Sequence, residues 1–178
     1  MRQKGLIIVF TGDGKGKTSA ALGIALRACG HAMYVSMVQF VKSPTDSGEE
    51  RAAERLQPQF ELITTGRGFV NIPGHTAPLP EHKQAAENAF ILAQQRVLSG
   101  YWDIVILDEI NVAVKLGLLD ITKVLDLLRK KPKNLHVVLT GRDAHDDLIA
   151  LADLVTEMRL VKHPYDEDGI PAQKGIDF

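Results

Sequence analysis

The stretch Val9-Phe10-Thr11-Gly12-Asp13-Gly14-Lys15-Gly16-Lys17-Thr18 decides the fold of this chain. An apolar run, Leu6 to Phe10, leads into it and predicts a buried strand. Ser19 to Cys29 follows it with the alanine and leucine content of a helix. A strand, a glycine-rich turn and Gly-Lys-Thr at a helix start are the context of a phosphate-binding loop. Such a loop directs backbone N–H groups and the positive end of the helix onto phosphate oxygens.

Within this loop, Lys17 is predicted to reach phosphate oxygens, and the Thr18 hydroxyl is predicted to coordinate Mg²⁺. The usual pattern is G-x-x-x-x-G-K-S/T, and this loop departs from it because Thr11 replaces the first glycine and Lys15 is an extra cation. An ordinary strand–helix turn is the alternative, but the glycines beside two lysines favour a phosphate site. An altered loop also indicates an altered way of holding the nucleotide. The predicted nucleotide-binding residues here are Thr11, Gly12, Asp13, Gly14, Lys15, Gly16, Lys17, Thr18 and Ser19.

The second element of the predicted site is the apolar run Ile104 to Leu107, which ends in Asp108 and Glu109. In phosphate-loop proteins, a carboxylate at the end of such a strand holds Mg²⁺ directly or through water. A strand that simply ends in a polar turn is the alternative. The loop described above makes a magnesium site the favoured interpretation. The residues leave open whether Asp108 or Glu109 touches the ion.

Composition and charge limit the class of protein. A length of 178 residues predicts one domain, 1–178, and 45% hydrophobic with 24% charged residues is typical of a globular protein. A net charge of −1 gives no global field for nucleic acid, and no apolar run is long enough to span a membrane. Cys29 is the only cysteine, which excludes an internal disulfide, and we expect a buried thiol. With no secretory signal before the first strand, a cytoplasmic enzyme is expected.

Strands alternate with helices along the rest of the chain. Strands are predicted over 32–40, 60–64, 101–107, 135–140 and 155–161, and helices over 49–56, 81–99, 111–116, 120–131 and 144–152. Right-handed crossovers then give an α/β fold, a P-loop NTPase-like, mostly parallel sheet of about six strands with helices on both faces. The strand at 101–107 is the most apolar and should be central. Ligands bind at the carboxyl ends of such strands, and the irregular segment 65–80 is predicted to be a binding loop.

These motifs together resemble the P-loop corrinoid adenosyltransferases over nearly the whole chain. The residues that carry the resemblance are Thr11 to Thr18, Arg27 to Gly30, Val38 to Phe40, Thr65-Gly66, Leu107 to Ile110, Leu139 to Arg142, Leu151 to Asp153, Val161 to His163 and the ending Ala172 to Phe178. A generic phosphate loop would not bring that ending with it. The resemblance implies that cob(I)alamin, or a precursor corrinoid, attacks the 5′ carbon of ATP. Triphosphate then leaves whole, in the biosynthesis or salvage of adenosylcobalamin.

The resemblance also implies roles for single residues. The family holds ATP with its phosphates reversed relative to kinases, in agreement with the altered loop. Lys15, Lys17 and Mg²⁺ would stabilise the charge of the leaving triphosphate. Arg27 resembles a phosphate-contacting arginine, with a surface helix cation as the alternative. Asp13 is a candidate contact to the nucleotide sugar, with loop capping as the alternative. No general base is required, because cobalt supplies the electrons.

Reduction of cob(II)alamin is implied to need an aromatic residue on the lower face of the corrin, which leaves cobalt four-coordinate. Phe69 fits that role, with a loop anchor as the alternative, and Asn71 stands where the family commonly has Trp. Lys17, Thr18 and Phe69 are therefore the predicted catalytic residues. Trp102 is expected in the core. The implied partners are ATP, the corrinoid, a second copy in a homodimer, and a flavoprotein as one candidate reductant.

Two other functions compete with this one. A kinase or small NTPase would transfer or hydrolyse the γ-phosphate, and a kinase should carry several arginines in a lid. The later loops offer only Arg142 and Arg159 as isolated residues. A nucleotide-dependent binding module without turnover is the third function. A corrin absorbance spectrum on the protein would separate these functions from adenosyl transfer.

Overall fold

The computed structural model describes residues 4–42, 47–66 and 78–177. Its strands form one six-stranded sheet of order β3-β2-β4-β5-β1-β6, in which neighbouring strands pair in parallel. The elements are β1 (Ile7–Thr11), α1 (Lys17–Cys29), β2 (Val35–Gln39), α2 (Gly48–Arg55), β3 (Phe60–Thr64), α3 (Leu79–Leu98), β4 (Ile104–Asp108), α4 (Ile110–Lys115), α5 (Ile121–Lys130), β5 (His136–Thr140), α6 (Asp146–Leu151), β6 (Leu154–Glu157) and α7 (Pro164–Asp168).

Two apolar clusters cover the two faces of the sheet, because successive residues of a strand point to opposite faces. On β4, Val105 and Leu107 join the cluster that includes α3, α5 and α6. Ile104 and Ile106 join the cluster that includes α1 and α2. The whole of β4 is buried between β2 and β5. The predicted α/β sheet with helices on both faces and a central, most apolar strand is therefore confirmed.

The first helix packs on the sheet through small side chains. Ala21, Ala25 and Ala28 recur at helical spacing and are all buried. Their size lets α1 lie close to the strands, with its first turn at the carboxyl end of β1. Cys29 is half-buried rather than buried as expected, since it lies in the last turn of α1 and only packs against the edge of this cluster.

Most predicted element ends agree with the structure within three residues. The largest correction concerns β6, which ends at Glu157 and not at Val161. Each of its four residues is exposed, so no pattern of buried and exposed positions marks where it ends. The tail also contains α7, whose five residues are too few to show a helical period. None of the described helices is long and apolar enough to cross a membrane.

Candidate nucleotide and metal site

The predicted phosphate loop joins β1 to α1 at the carboxyl edge of the sheet, where ligands of parallel sheets bind. Gly16 precedes the helix with a φ of 112°, a conformation that favours glycine. As the cap residue of α1 it brings no side chain to the first N–H groups of the helix. Those groups and the positive end of the helix dipole are therefore available to an anion.

The chain just after β6 forms one wall of this loop. The Gly14 N–H donates to the Met158 carbonyl at 2.6 Å, and the Met158 N–H donates to the Thr11 carbonyl at 2.8 Å. A β-carbon on Gly12 would lie 2.5 Å from the Met158 carbonyl oxygen, and one on Gly14 would lie 2.7 Å from it. These two glycines are thus needed for the close approach of two backbones.

Thr11 stands where the usual pattern has glycine, and its side chain has a structural partner. It is buried, and its hydroxyl accepts a hydrogen bond from the Ala144 N–H at 3.1 Å. The contact ties the turn after β5 to the start of the loop. The departure from the usual pattern therefore adds a cross-link within the scaffold of the site.

The Lys17 ammonium lies inside the loop. It donates to the carbonyls of Gly12 at 2.6 Å and of Gly14 at 2.7 Å, and the side chain is buried. Burial lowers the pKa of Lys17 from its ordinary value, although the charge of Glu109 opposes this shift. A buried cation that is bonded to neutral carbonyls would be strongly stabilised by an anionic ligand in the loop.

Lys15 has a different partner from Lys17. It forms an ion pair with Asp177, and about half of the Lys15 side chain is exposed. The same carboxylate accepts a hydrogen bond from the Gln173 N–H at 2.7 Å. Hydrogen bonding to Lys15 lowers the pKa of Asp177. Lys15 therefore lies at the rim of the loop, and it must leave Asp177 to bind a phosphate.

The Asp108 carboxylate is completely buried at the end of β4 and accepts three side-chain hydrogen bonds. Its Oδ1 accepts from the hydroxyls of Thr18 at 2.9 Å and Thr140 at 2.7 Å, and its Oδ2 accepts from the amide of Gln39 at 3.1 Å. The structure thus brings together Thr18 and Asp108, both predicted as metal ligands. The sequence reasoning missed Thr140 and Gln39 as site residues. Each is the polar last residue of a mainly apolar strand, and that position is the signal by which the sequence could have indicated it.

Glu109 lies beside this cluster in a left-handed backbone conformation, with a φ of 63°. Its N–H donates to the Thr140 hydroxyl at 2.9 Å. Burial raises the pKa of Glu109 above its ordinary value, and the charge of Asp108 raises it further. Nearby cations oppose this shift, namely Lys17, Lys42 and Arg142. The exposed Arg142 is a third residue of this candidate site, after Thr140 and Gln39, that the sequence did not indicate.

The donor set at this place fits a magnesium ion. Mg²⁺ prefers oxygen ligands and usually takes one or two from the protein, together with phosphates and water. The Thr18 hydroxyl and the carboxylates of Asp108 and Glu109 supply such oxygens. Within the described ranges, no group of three or more His, Cys, Asp or Glu side chains is arranged to hold a metal ion.

Besides Lys15, three of the predicted nucleotide-binding residues are exposed and are not buried with Lys17 and Asp108. Arg27 is exposed in the last turn of α1, ten residues after Lys17. A rise of 1.5 Å per residue puts the two α-carbons about 15 Å apart. Asp13 and Ser19 are exposed at the loop and in the first turn of the helix. Their contacts to a nucleotide stay predictions.

The aromatic residues divide between described and undescribed parts of the chain. Phe69 and Asn71 lie outside the described residues, so the predicted lower-face contact stays a prediction. Trp102 is half-buried and packs against the core, with its ring edge-on to Tyr101 at 4.9 Å between centroids. The expectation that Trp102 belongs to the core is confirmed.

A cleft of about 370 Å³ opens at the same edge of the sheet, beside the end of β3. One wall is the strand end, and the other wall is the first half of α3. Its lining combines apolar surface with hydroxyl, amide and carboxylate groups and consists of Thr64, Thr65, Gly66, Glu81, Gln84, Ala85 and Asn88. Such a lining suits a ligand that carries hydrogen-bonding groups.

Solved structures show which fold this is. The KaiC-like protein of Pyrococcus horikoshii superposes with a TM-score of 0.56 at 14% identity, over 90% of this chain and 75% of that one. The flagellar accessory protein FlaH of Methanocaldococcus jannaschii gives a TM-score of 0.53 at 13% identity, over 86% of this chain and 71% of that one. At such identities the likeness concerns the fold alone, and this fold is P-loop NTPase-like.

Sequence comparison identifies the family. Residues 3–178 match the family model described as ATP:corrinoid adenosyltransferase BtuR/CobO/CobP. The corrinoid adenosyltransferase of Pseudomonas aeruginosa is 40% identical over 99% of this chain and 85% of its own length. That of Escherichia coli K12 is 38% identical over 99% of this chain and 87% of its own length. The chain therefore belongs to the ATP:corrinoid adenosyltransferase family, the enzymes that move an adenosyl group from ATP to a corrinoid.

Proposed function

We propose that this chain transfers the 5′-deoxyadenosyl group of ATP to the cobalt of a reduced corrinoid, with the loop between β1 and α1 holding the triphosphate that leaves. The observation that carries this proposal is the buried Lys17 inside the loop, next to a Thr18 hydroxyl bonded to Asp108. A cation, a helix N-terminus and magnesium-type oxygen ligands meet at one point. Such an arrangement stabilises an anionic leaving group.

The chemistry requires charge stabilisation and no proton transfer. Cobalt(I) donates an electron pair to the 5′ carbon of ATP while the bond from that carbon to its oxygen breaks. The electrons of the broken bond remain on the triphosphate. Lys17 and the N–H groups at the start of α1 would stabilise that charge. Mg²⁺, when bound with the nucleotide, would add to this stabilisation.

We assign different tasks to the two carboxylates. Three protein hydrogen bonds already occupy the Asp108 carboxylate, so its task is to hold Thr18 in place. Glu109 is only partly buried, and burial raises its pKa, so a cation beside it would stabilise its charged form. Glu109 is therefore the better candidate for direct or water-mediated contact with Mg²⁺.

The corrinoid is proposed to approach the cleft beside β3. Corrinoids carry carboxamide side chains around the macrocycle, and the hydroxyls and amides of the cleft are suitable partners for them. The macrocycle is larger than the cleft, so its rim would enter and the ring would lie outside. Gly66, the last described residue before the segment that carries Phe69, lines this cleft.

The assembly and setting are proposed from the family resemblance. We propose a single domain over 1–178, a homodimer located in the cytoplasm, and reduction of the corrinoid cobalt by a flavoprotein. The open edge strand β6 supports pairing with a second copy, because Leu154 and Val155 on it are about 43% and 40% exposed. Sedimentation should give the mass of a dimer, and Val155→Lys should reduce it. A monomer at assay concentration would rule the dimer out.

Anaerobic incubation with ATP, Mg²⁺ and chemically reduced cobalamin tests the function. We expect a light-sensitive alkylcobalamin that forms only when ATP is present. Lys17→Ala should slow its formation by about 10²–10³, the usual cost of one charge-stabilising donor. A wild-type protein that binds ATP and forms no alkylcobalamin would contradict the proposal.

A further inference from the structure

Four polar side chains form a row across the carboxyl edge of the sheet. Gln39 on β2 lies in register with Thr64 on β3 and with Asp108 on β4. Leu107 and Leu139 are also in register, so Asp108 and Thr140 follow as neighbours. Residues in register on parallel strands project to the same face. We call these residues, Thr64, Gln39, Asp108 and Thr140, the polar row.

Hydrogen bonds connect the residues of the polar row, and each end of the Gln39 amide faces a different neighbour. The Gln39 amide nitrogen donates to Asp108 at 3.1 Å, and the Gln39 amide oxygen accepts from the Thr64 hydroxyl at 3.0 Å. Reversing the amide would place its oxygen against the Asp108 carboxylate. The Thr64 hydroxyl also lies 3.1 Å from Glu50 Oε1, so its one proton is shared between the amide oxygen and that carboxylate. Gln39 is only 2% exposed, so water cannot easily replace either contact. Asp108 therefore determines the orientation of this amide, and the Thr64 hydroxyl lies against its oxygen.

We propose that Gln39 is a positioning residue for the nucleotide site. Its amide, held by Thr64, fixes the Asp108 carboxylate, which in turn holds the Thr18 hydroxyl. This inference rests on the proposed function, because it gives Thr18 and Asp108 their role beside Mg²⁺. A metal site needs its ligands locked by a second layer of hydrogen bonds, and small displacements weaken it.

The polar row also connects the nucleotide site with the cleft beside β3, where the corrinoid is proposed to bind. Thr64 lines the cleft beside β3 and Thr18 begins the nucleotide helix, so three hydrogen bonds join the two places. Thr65 lines the same cleft, but its hydroxyl donates to the Gln39 main-chain carbonyl at 3.0 Å and not to the amide. The chain thus contains a matched control one residue away.

The test measures ATP binding by equilibrium dialysis with and without Mg²⁺, which needs no turnover. The ratio of the dissociation constants without and with Mg²⁺ is the increase in ATP affinity that the metal provides. We call this ratio the gain. Thr64→Val removes the hydroxyl and keeps the shape, so the amide loses its anchor. We expect the gain to fall about threefold to tenfold, the usual cost of one hydrogen bond, with metal-free ATP binding unchanged.

Matched variants separate positioning from a merely structural role. Thr64→Ser keeps the hydroxyl and should restore the gain, and Thr65→Val should leave it at the wild-type value. Gln39→Met should lower it at least as much as Thr64→Val. If the row serves only folding, Thr64→Val will lower the unfolding midpoint and leave the gain unchanged, which would overturn the inference.

Asp108→Asn distinguishes this inference from the function on which it rests. If Asp108→Asn lowers the gain while Thr64→Val and Gln39→Met keep it, the inference is wrong and the proposed metal site stands. If Asp108→Asn itself keeps the full gain, the inference is wrong, and if Glu109→Gln keeps it as well, the proposed metal site is wrong too. Should Gln39→Met fail to fold, the Thr64 variants decide the matter.

Discussion

The Thr18 hydroxyl donates to the Asp108 carboxylate at 2.9 Å and joins two parts of the chain that are 90 residues apart. The contact places the start of α1 against the end of β4. Because Asp108 is fully buried and also bonded to Thr140, the position of this hydroxyl is determined from both sides. The loop between β1 and α1 and the end of β4 therefore meet at one place, the centre of the candidate site.

Thr18→Val tests this contact. The substitution keeps the shape of the side chain and removes the hydroxyl, so both the bond to Asp108 and the oxygen offered to Mg²⁺ are lost. We expect adenosyl transfer to fall by about 10²–10³ with little change in thermal unfolding. Thr122→Val is the control, because that hydroxyl donates to Asp120 at 2.8 Å on an exposed helix start. Equal activities of the two variants would contradict the assignment.

The two carboxylates can be ranked by their magnesium requirement. Glu109→Gln should raise the Mg²⁺ concentration for half-maximal activity more than Asp108→Asn does, because we assign Glu109 to the ion and Asp108 to Thr18. The measurement is a Mg²⁺ titration at saturating ATP. The opposite order would exchange the two roles.

The ion pair at the rim of the loop gives a prediction of the opposite sign. Asp177→Asn releases Lys15 for the triphosphate, so ATP affinity should rise about two- to fivefold at low salt and less at high salt. Glu167→Gln is the control, since it removes the exposed pair with Lys162, which is 2.8 Å long. Weaker ATP binding by Asp177→Asn would show that the pair supports the loop.

Phe69→Ala tests the role implied for the loop aromatic. Loss of an aromatic residue on the lower corrin face should impair reduction of cob(II)alamin and leave the attack of cobalt(I) on carbon nearly unchanged. Reactions started from cob(II)alamin should therefore slow far more than reactions supplied with cob(I)alamin. An equal loss in both assays would show that Phe69 is structural.

Local patterns predicted most of the fold and brought forward the residues that meet at the centre of the candidate site. The glycine-rich turn before a helix places Lys17 and Thr18, and an apolar strand that ends in two carboxylates places Asp108. Both signals lie within a few neighbouring residues. The same locality explains why the central strand could be recognised by its apolar run.

The contacts that local sequence patterns could not predict depend on strand order and register. Gln39 and Thr140 reach Asp108 only because β2 and β5 lie on either side of β4, and no local pattern states that order. The pairing of Lys15 with Asp177 depends on an exposed tail without a period. The early end of β6 follows from exposure of all its residues, which removes the pattern that marks a strand end.

Phosphorus NMR of an anaerobic reaction run to completion tests the central claim most directly. If the 5′ carbon is the electrophile, intact triphosphate should accumulate in an amount equal to the adenosylated corrinoid, without stoichiometric ADP or phosphate. In kinases and ATPases the attack is on the γ-phosphorus instead. Formation of ADP and phosphate at a rate independent of corrinoid would contradict adenosyl transfer and would point to Glu109, beside Asp108, as a base that activates water.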